Sequence, residues 1–346
     1  MKQKKMVTIK SVAAMAGVSV SAVSAAFSKK RTSSRLAPET KQKILDVANA
    51  CGYAPNLTAR AFQAGKSYLI ALIFNSQGWS IMDRIVKGIR AVCYDNEYEL
   101  LFYPCDNVEM ERKNLLAAHR RNPDGILTLP LPDAGDGNLD LYEKYAAEGI
   151  PVIQILHRIS DKLPYVGRDF SAIVDSAIET LLQTGHKKIV LAAFDNYNDI
   201  LLGGSNYLLA QEYIRNMENR NLPAEIICTT SKGLTRNYIS YGIRLGEQIM
   251  KMPDRPTGII VCANSLAYGL LAYFQRHGTA VPGEIAMIGC SDDLDVSEEI
   301  LPELSHFPIP ASELGEYAAK RCLGLNGNTR GKEYLLSSKF KTGKTI

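Results

Sequence analysis

Hydrophobic and polar positions change rhythm twice along this chain. In TIKSVAAMAGVSVSAVSAAF, from Thr8 to Phe27, small apolar residues recur at helical spacing on both sides of Ala16-Gly17-Val18. Val12, Ala13 and Ala16 give a first short helix its apolar face. Ser19 is placed to cap a second, its hydroxyl meeting a free N–H of the first turn. Gly17 suits the corner, because without a Cβ it takes a positive φ at little cost. After a polar basic loop at 29–35, Pro38 fits the first turn of a third helix, whose apolar positions are Ile44, Leu45, Val47 and Ala48 and which Gly52 closes. The pattern predicts a three-helix bundle of about fifty residues, marginal alone.

A short segment, 57–64, then runs from Pro55-Asn56 to Gly65, with Asn56 as its N-cap. A helix of about eight residues is marginal in water. From Tyr68 the rhythm changes again. Apolar runs at 69–74, 100–103, 125–129, 152–156, 189–193, 226–228, 258–262 and 286–289 read as strands. Helical patterns at 82–95, 111–121, 173–184, 207–220, 239–252 and 266–277 lie between most of them. This alternation predicts parallel sheets covered on both faces, and its length favours two α/β lobes. Ligands are expected at strand C-terminal ends and between lobes.

Charge adds a division of labour. Residues 1–66 carry twelve Lys and Arg against Glu39 and Asp46, a net +10, while the whole 346-residue chain is +4, so the remainder is −6. A small basic domain on an acidic body is the footprint of a nucleic-acid binder. The basic residues span several ordered segments between Lys10 and Lys66, unlike a solvated tail. No run of about 18 apolar residues predicts a membrane span. Cys51, Cys93, Cys105, Cys228, Cys262, Cys290 and Cys322 are scattered, odd in number and without a C-x-x-C pair, as buried thiols in a reducing compartment would be. Lys2, Lys4 and Lys5 before an Ala/Val-rich stretch suggest an export signal, but Lys10, Ser11, Ser19, Ser21 and Ser24 interrupt the apolar core it needs. A cytoplasmic protein is expected.

Three motifs occur in order: A-G-V-S-x-x-x-V-S from Ala16, G-Y-x-P-N from Gly52, and A-R-A-F from Ala59. With them the chain resembles the LacI/GalR family of bacterial transcription regulators over nearly its whole length. The resemblance implies an all-α helix-turn-helix DNA-binding domain (1–55), a hinge helix or linker (56–66), and a two-lobed α/β periplasmic-binding-protein-like domain with parallel sheets (67–346) for effector binding and dimerisation. It implies a repressor that binds a near-palindromic double-stranded DNA operator as a homodimer and is modulated by a small ligand between the lobes. No cofactor, metal or membrane partner is expected. No Leu heptads follow Phe340, so a dimer is expected over a tetramer.

By this resemblance Val20 and Ser21 read base edges. Ala25 stands where relatives often carry Arg or another polar reader; a bidentate Arg–guanine pair is worth about 1–3 kcal/mol, whereas Ala offers a thymine methyl only apolar contact. Thr8, Ser19, Ser24, Ser28 and Tyr53 match phosphate-contacting positions, although any one Ser or Thr could serve only as a helix cap. Asn56 opens the hinge segment. Phe62 matches the position, usually Leu, that wedges into the minor groove; core packing is its other reading. At the effector site, the Arg and Asp usual in sugar-binding relatives correspond to Gly203 and Ser265, which removes a charged pair suited to sugar hydroxyls. Trp79, Ser80, Arg158 and Asn264 are alternative lining residues, with Asp106 and His157 behind them. Trp79 could stack on a ligand ring or simply pack. A non-sugar ligand, a sugar held differently and no small effector all remain open.

Other classes fit less well. Arg60 replaces the first glycine that Gly65-Lys66-Ser67 would need as a phosphate loop, and no zinc, nucleophile-elbow or dinucleotide motif occurs. Asp292, Asp293 and Asp295 invite a Mg²⁺ reading, but they match a family strand end and are read as structural or pocket-rim. The chain is not expected to be an enzyme. A small-molecule carrier using only the two-lobed domain is the rival, and the basic first 66 residues speak against it.

Overall fold

The computed structural model describes residues 7–27, 36–54, 64–76, 81–131, 137–199, 204–230, 238–291, 302–326 and 332–346. The chain divides into two compact units, Met1–Ser67 and Tyr68–Ile346. In the first, α1 (Ile9–Ala16), α2 (Val20–Phe27) and α3 (Pro38–Ala50) close on Val12, Ala13, Ala16, Val23, Ala26, Ile44 and Ala48. Thr8 caps α1, accepting from the Ser11 N–H at 3.3 Å. Gly17 ends it at φ 67°, while the Val18 N–H donates to the Ala13 carbonyl at 3.0 Å. Ser19 starts α2 by accepting from the Ala22 N–H at 3.2 Å. Pro38 occupies the first turn of α3, and Gly52 at φ 67° follows its cap residue, Cys51.

The second unit holds two parallel sheets. In chain order its elements are β1 (Leu69–Asn75), α4 (Met82–Asp95), β2 (Glu99–Cys105), α5 (Val108–His119), β3 (Gly125–Leu129), α6 (Leu139–Ala147), β4 (Val152–Ile155), β5 (Tyr165–Arg168), α7 (Phe170–Gln183), β6 (Ile189–Phe194) and α8 (Ser205–Asn219). There follow β7 (Glu225–Thr229), α9 (Tyr238–Met250), β8 (Gly258–Val261), α10 (Asn264–Arg276), β9 (Ala286–Gly289), β10 (Ser305–His306), α11 (Ala311–Cys322) and β11 (Glu333–Leu336). One sheet has the order β11-β5-β4-β3-β1-β2, the other β10-β9-β8-β6-β7. Alternate residues feed opposite faces: Ile70 and Leu72 join one core, Ala71 and Ile73 another. Leu191 with Ala193, and Val190 with Ala192, do the same in the second sheet. This is why the strands read as unbroken apolar runs.

The eight expected strands are present with small shifts at their ends. The fourth stops at Ile155, because Leu156 turns into the left-handed region at φ 62°. Five elements were absent from the pattern reading: β5, β10, β11, α6 and α11. The strands are short, and β5 (YVGR) carries no apolar run, although all four of its residues are buried. β10 is only two residues long.

Because these elements are shared, the chain passes between the lobes three times: after β5, between β10 and α11, and after β11. In the first lobe α11 lies against α4 at close range. A Cβ on Gly88 would sit 1.9 Å from the Ser312 carbonyl oxygen, and one on Gly315 would sit 2.1 Å from that of Ile85. Only hydrogen fits there. Gly315→Ala is expected to cost about 1–3 kcal/mol by overpacking, read as a lower urea midpoint.

Candidate DNA-reading surface and interlobe site

In the first unit, α2 leaves α1 at 104°, within the range of helix-turn-helix pairs. Val23 and Ala26 face the core, which turns Ser19, Val20, Ser21 and Ser24 outward and leaves Ala25 half-buried. Val20 is 42% exposed, an apolar side chain without a protein partner for much of its surface. The Ser19 and Ser21 hydroxyls lie 2.8 Å apart. Tyr53 is half-buried edge-on to Phe27, ring centroids 5.7 Å apart, and burial raises its hydroxyl pKa. Thr8 is exposed beside Ser11. Ser28, Asn56 and Phe62 lie outside the described residues.

In the second unit the expected effector residues have distinct surroundings. Asn264 opens α10 and is fully buried. Its backbone N–H donates to the Ser291 carbonyl at 3.1 Å, but neither side-chain amide atom has a hydrogen-bond partner among the described residues. Its Oδ1 lies flush on Gly289, where a Cβ would stand 2.1 Å away. Ser265 is buried beside it. Asp106 is exposed at the end of β2 and accepts from the Ser76 hydroxyl. Arg158 is occupied by Asp161 at 2.7 Å and Glu333 at 3.2 Å, with its guanidinium 5.8 Å from the Tyr165 ring centre. Trp79, Ser80 and Gly203 lie outside the described residues.

Two features escaped the pattern reading. The Leu156 carbonyl accepts from Tyr165 Oη at 3.1 Å in its own lobe and from Ser205 Oγ at 3.0 Å in the other. A left-handed non-glycine residue costs about 1–3 kcal/mol, which such contacts offset. Arg168, ending β5, is 3% exposed and reaches into the second lobe. Its only signal was a charge inside a short buried stretch. No group of three His, Cys, Asp or Glu that could hold a metal occurs among the described residues.

His157 follows Leu156 and packs on the start of α8: a Cβ on Gly204 would lie 2.3 Å from its Nδ1. Burial pushes its imidazole down to about 4, so the ring is neutral at pH 7. Below the unfolded value near 6.5 the unfolded chain takes a proton that the folded one refuses, so stability falls as pH drops from about 6.5 to about 4. His186, also shifted down by burial, adds in the same direction. Across that window His157 accounts for up to about 3 kcal/mol. Urea midpoints between pH 7 and pH 4.5 are expected to fall less in His157→Phe than in the wild type.

Comparison with known proteins agrees with this geometry. Residues 8–56 match the model of bacterial regulatory proteins of the lacI family, and residues 178–346 that of the periplasmic binding protein-like domain. The HTH-type transcriptional repressor PurR of Vibrio parahaemolyticus is 25% identical over 320 residues, 90% of each chain. The probable HTH-type transcriptional repressor ExuR of Bacillus subtilis is 25% identical over 349 residues, 99% of this chain and 98% of its own. The Lac repressor dimer bound to operator and the anti-inducer ONPF shares the fold, with a TM-score of 0.76 at 20% identity over 99% of both chains. A helix-turn-helix in a basic unit, followed by paired parallel sheets crossed three times, thus carries the matching sequence signatures in both parts, and the chain joins a lacI-family regulatory domain to a periplasmic binding protein-like domain.

Proposed function

We propose that this protein is a cytoplasmic transcriptional repressor that reads a near-palindromic operator as a homodimer and answers to a small ligand between its lobes. The exposed row Ser19, Val20, Ser21 and Ser24 on α2, within a unit of net charge +10, carries the reading. Val20 suits a thymine methyl, and Ser21 can donate to or accept from a base edge. Thr8, Ser19, Ser24, Ser28 and Tyr53 serve the phosphates, which set register. Asn56 and Phe62 belong to the linker at 56–66, where an apolar wedge would kink the central step.

Asn264 supports the ligand. A buried amide group left without a partner costs about 1–3 kcal/mol. A ligand with a donor and an acceptor would recover that cost; Ser265, Asp106, Trp79, Ser80 and Gly203 are the further residues that the family resemblance assigns to its site. Arg158 joins them only by releasing a carboxylate. The ligand acts on operator affinity through its different affinities for the two lobe arrangements.

Self-pairing has its own support. β2 is a sheet edge with Phe102 48% exposed, and α4 and α5 beside it expose Tyr94, Met110 and Leu116. An apolar edge of this kind requires covering.

Selection from random DNA is expected to enrich a near-palindrome of about 14–20 bp, bound with a steep loss of affinity in salt. Enrichment of no sequence would overturn the reading. On that operator, Ser21→Ala is expected to lose about 1 kcal/mol of discrimination at one base pair per half-site. Phe102→Glu is expected to shift the dimer toward monomer in sedimentation at micromolar concentration and to weaken operator binding with it.

A further inference from the structure

The three passages between the lobes are laced together. Between the first and third, the Asp169 N–H donates to the Leu336 carbonyl at 3.0 Å. Between the second and third, His306 and Lys341 exchange both backbone hydrogen bonds, at 2.9 and 2.8 Å, and the Phe307 and Phe340 rings lie 4.9 Å apart. One side chain reaches all three. Arg168 lies on the first passage, and its Nη1 donates to the Cys290 carbonyl at 2.5 Å, at the end of β9. Its Nη2 donates to the Phe307 carbonyl at 3.1 Å, on the second passage. Nη2 and Nε both donate to Ser338 Oγ on the third, at 3.2 and 3.4 Å. The Phe170 ring lies 5.3 Å from the guanidinium carbon.

We infer that Arg168 is the positioning residue of the interlobe hinge: its guanidinium holds the three passages in one arrangement, so that the lobes turn as a unit and a change in the cleft reaches operator affinity. The geometry favours Arg over any other cation. A planar fork donates in several fixed directions at once, whereas an ammonium is a point charge on a flexible stem. It donates to two main-chain carbonyls and a hydroxyl, so the grip depends on where the passages lie and is lost when they splay. Ser205 donating to the Leu156 carbonyl is a second tie between the lobes, but among the described residues it is Arg168 whose side chain ties its own passage to the other two. The link to operator affinity rests on the repressor reading; the hinge itself does not.

The test uses the full-length protein and three variants: Arg168→Gln, Arg168→Lys and the milder Ser338→Ala, which stands in if Arg168→Gln fails to fold. Tyr142→Phe serves as a control. It removes a hydroxyl buried between Thr128 and Glu111 in the first lobe, away from the passages. Backbone hydrogen exchange at Asp169, His306, Phe307 and Lys341 is expected to quicken about tenfold in both Arg168 variants and about threefold in Ser338→Ala, while β3 and β8 keep their protection. Failure of Arg168→Lys to restore protection would show that the fork matters, not the charge; full restoration would overturn the proposal. Operator affinity in the Arg168 variants should change at least about fivefold at unchanged α2 sequence, and not in the control at a matched loss of melting temperature. Quickening spread evenly over the core strands, or junction amides as protected as in the wild type, would overturn the proposal. If the wild type itself selects no DNA sequence, the repressor reading fails, and the exchange pattern still decides the hinge.

Discussion

A chain that crosses three times between two parallel sheets must satisfy its backbone polar groups where neither ladder continues. The passages solve this among themselves, through Asp169 on Leu336 and His306 on Lys341, with Arg168 supplying donors for the carbonyls of Cys290 and Phe307. Buried carbonyls without such partners would each cost a desolvation penalty comparable to a lost hydrogen bond. A buried cation is itself costly unless it is fully hydrogen-bonded. The two needs meet at one side chain. The chain leaves one sheet and enters the other at that junction.

The DNA-binding unit solves a different problem. Its core is seven small or medium apolar residues, little for three helices, so the helix ends matter in proportion. Thr8 and Ser19 hold first-turn N–H groups, and the Gly17 turn satisfies the Ala13 and Ala14 carbonyls. The same construction leaves the α2 hydroxyls outward and unburied. Ser19 shows how economical this is, since its hydroxyl caps the helix while the residue stays exposed.

Much of this was legible in advance. The turn at Gly17, the cap at Ser19, Pro38 at the start of α3 and the apolar faces around Val12 and Ile44 follow from local rules, and each is found. The eight strands expected from apolar runs were equally legible, most of them because burial on both faces writes such a run. What failed to show were β5, β10 and β11, whose strand identity comes from neighbours distant in sequence. YVGR is a strand because Tyr165 and Val166 pair with β4 and all four residues pair with β11, far along the chain. At the candidate effector site, sequence pointed to Asn264 and Ser265 by position, but that the Asn264 amide is buried without partners among the described residues is a property of the packed α10 start.

By itself the sequence determined the two-part organisation, the charge division between a basic unit and an acidic body, and the helix-turn-helix with its outward serines. These depend on periodicity, capping and composition, which act over a few residues or over whole segments. Only the tertiary structure decided the occupations of three polar side chains. Arg158 goes to Asp161 and Glu333, His157 is neutral against Gly204, and Arg168 pins passages more than a hundred residues away. A charge or an imidazole in sequence names only what a residue could do. Its protonation and its partners depend on desolvation and on groups brought together by the crossings, and no local pattern encodes those.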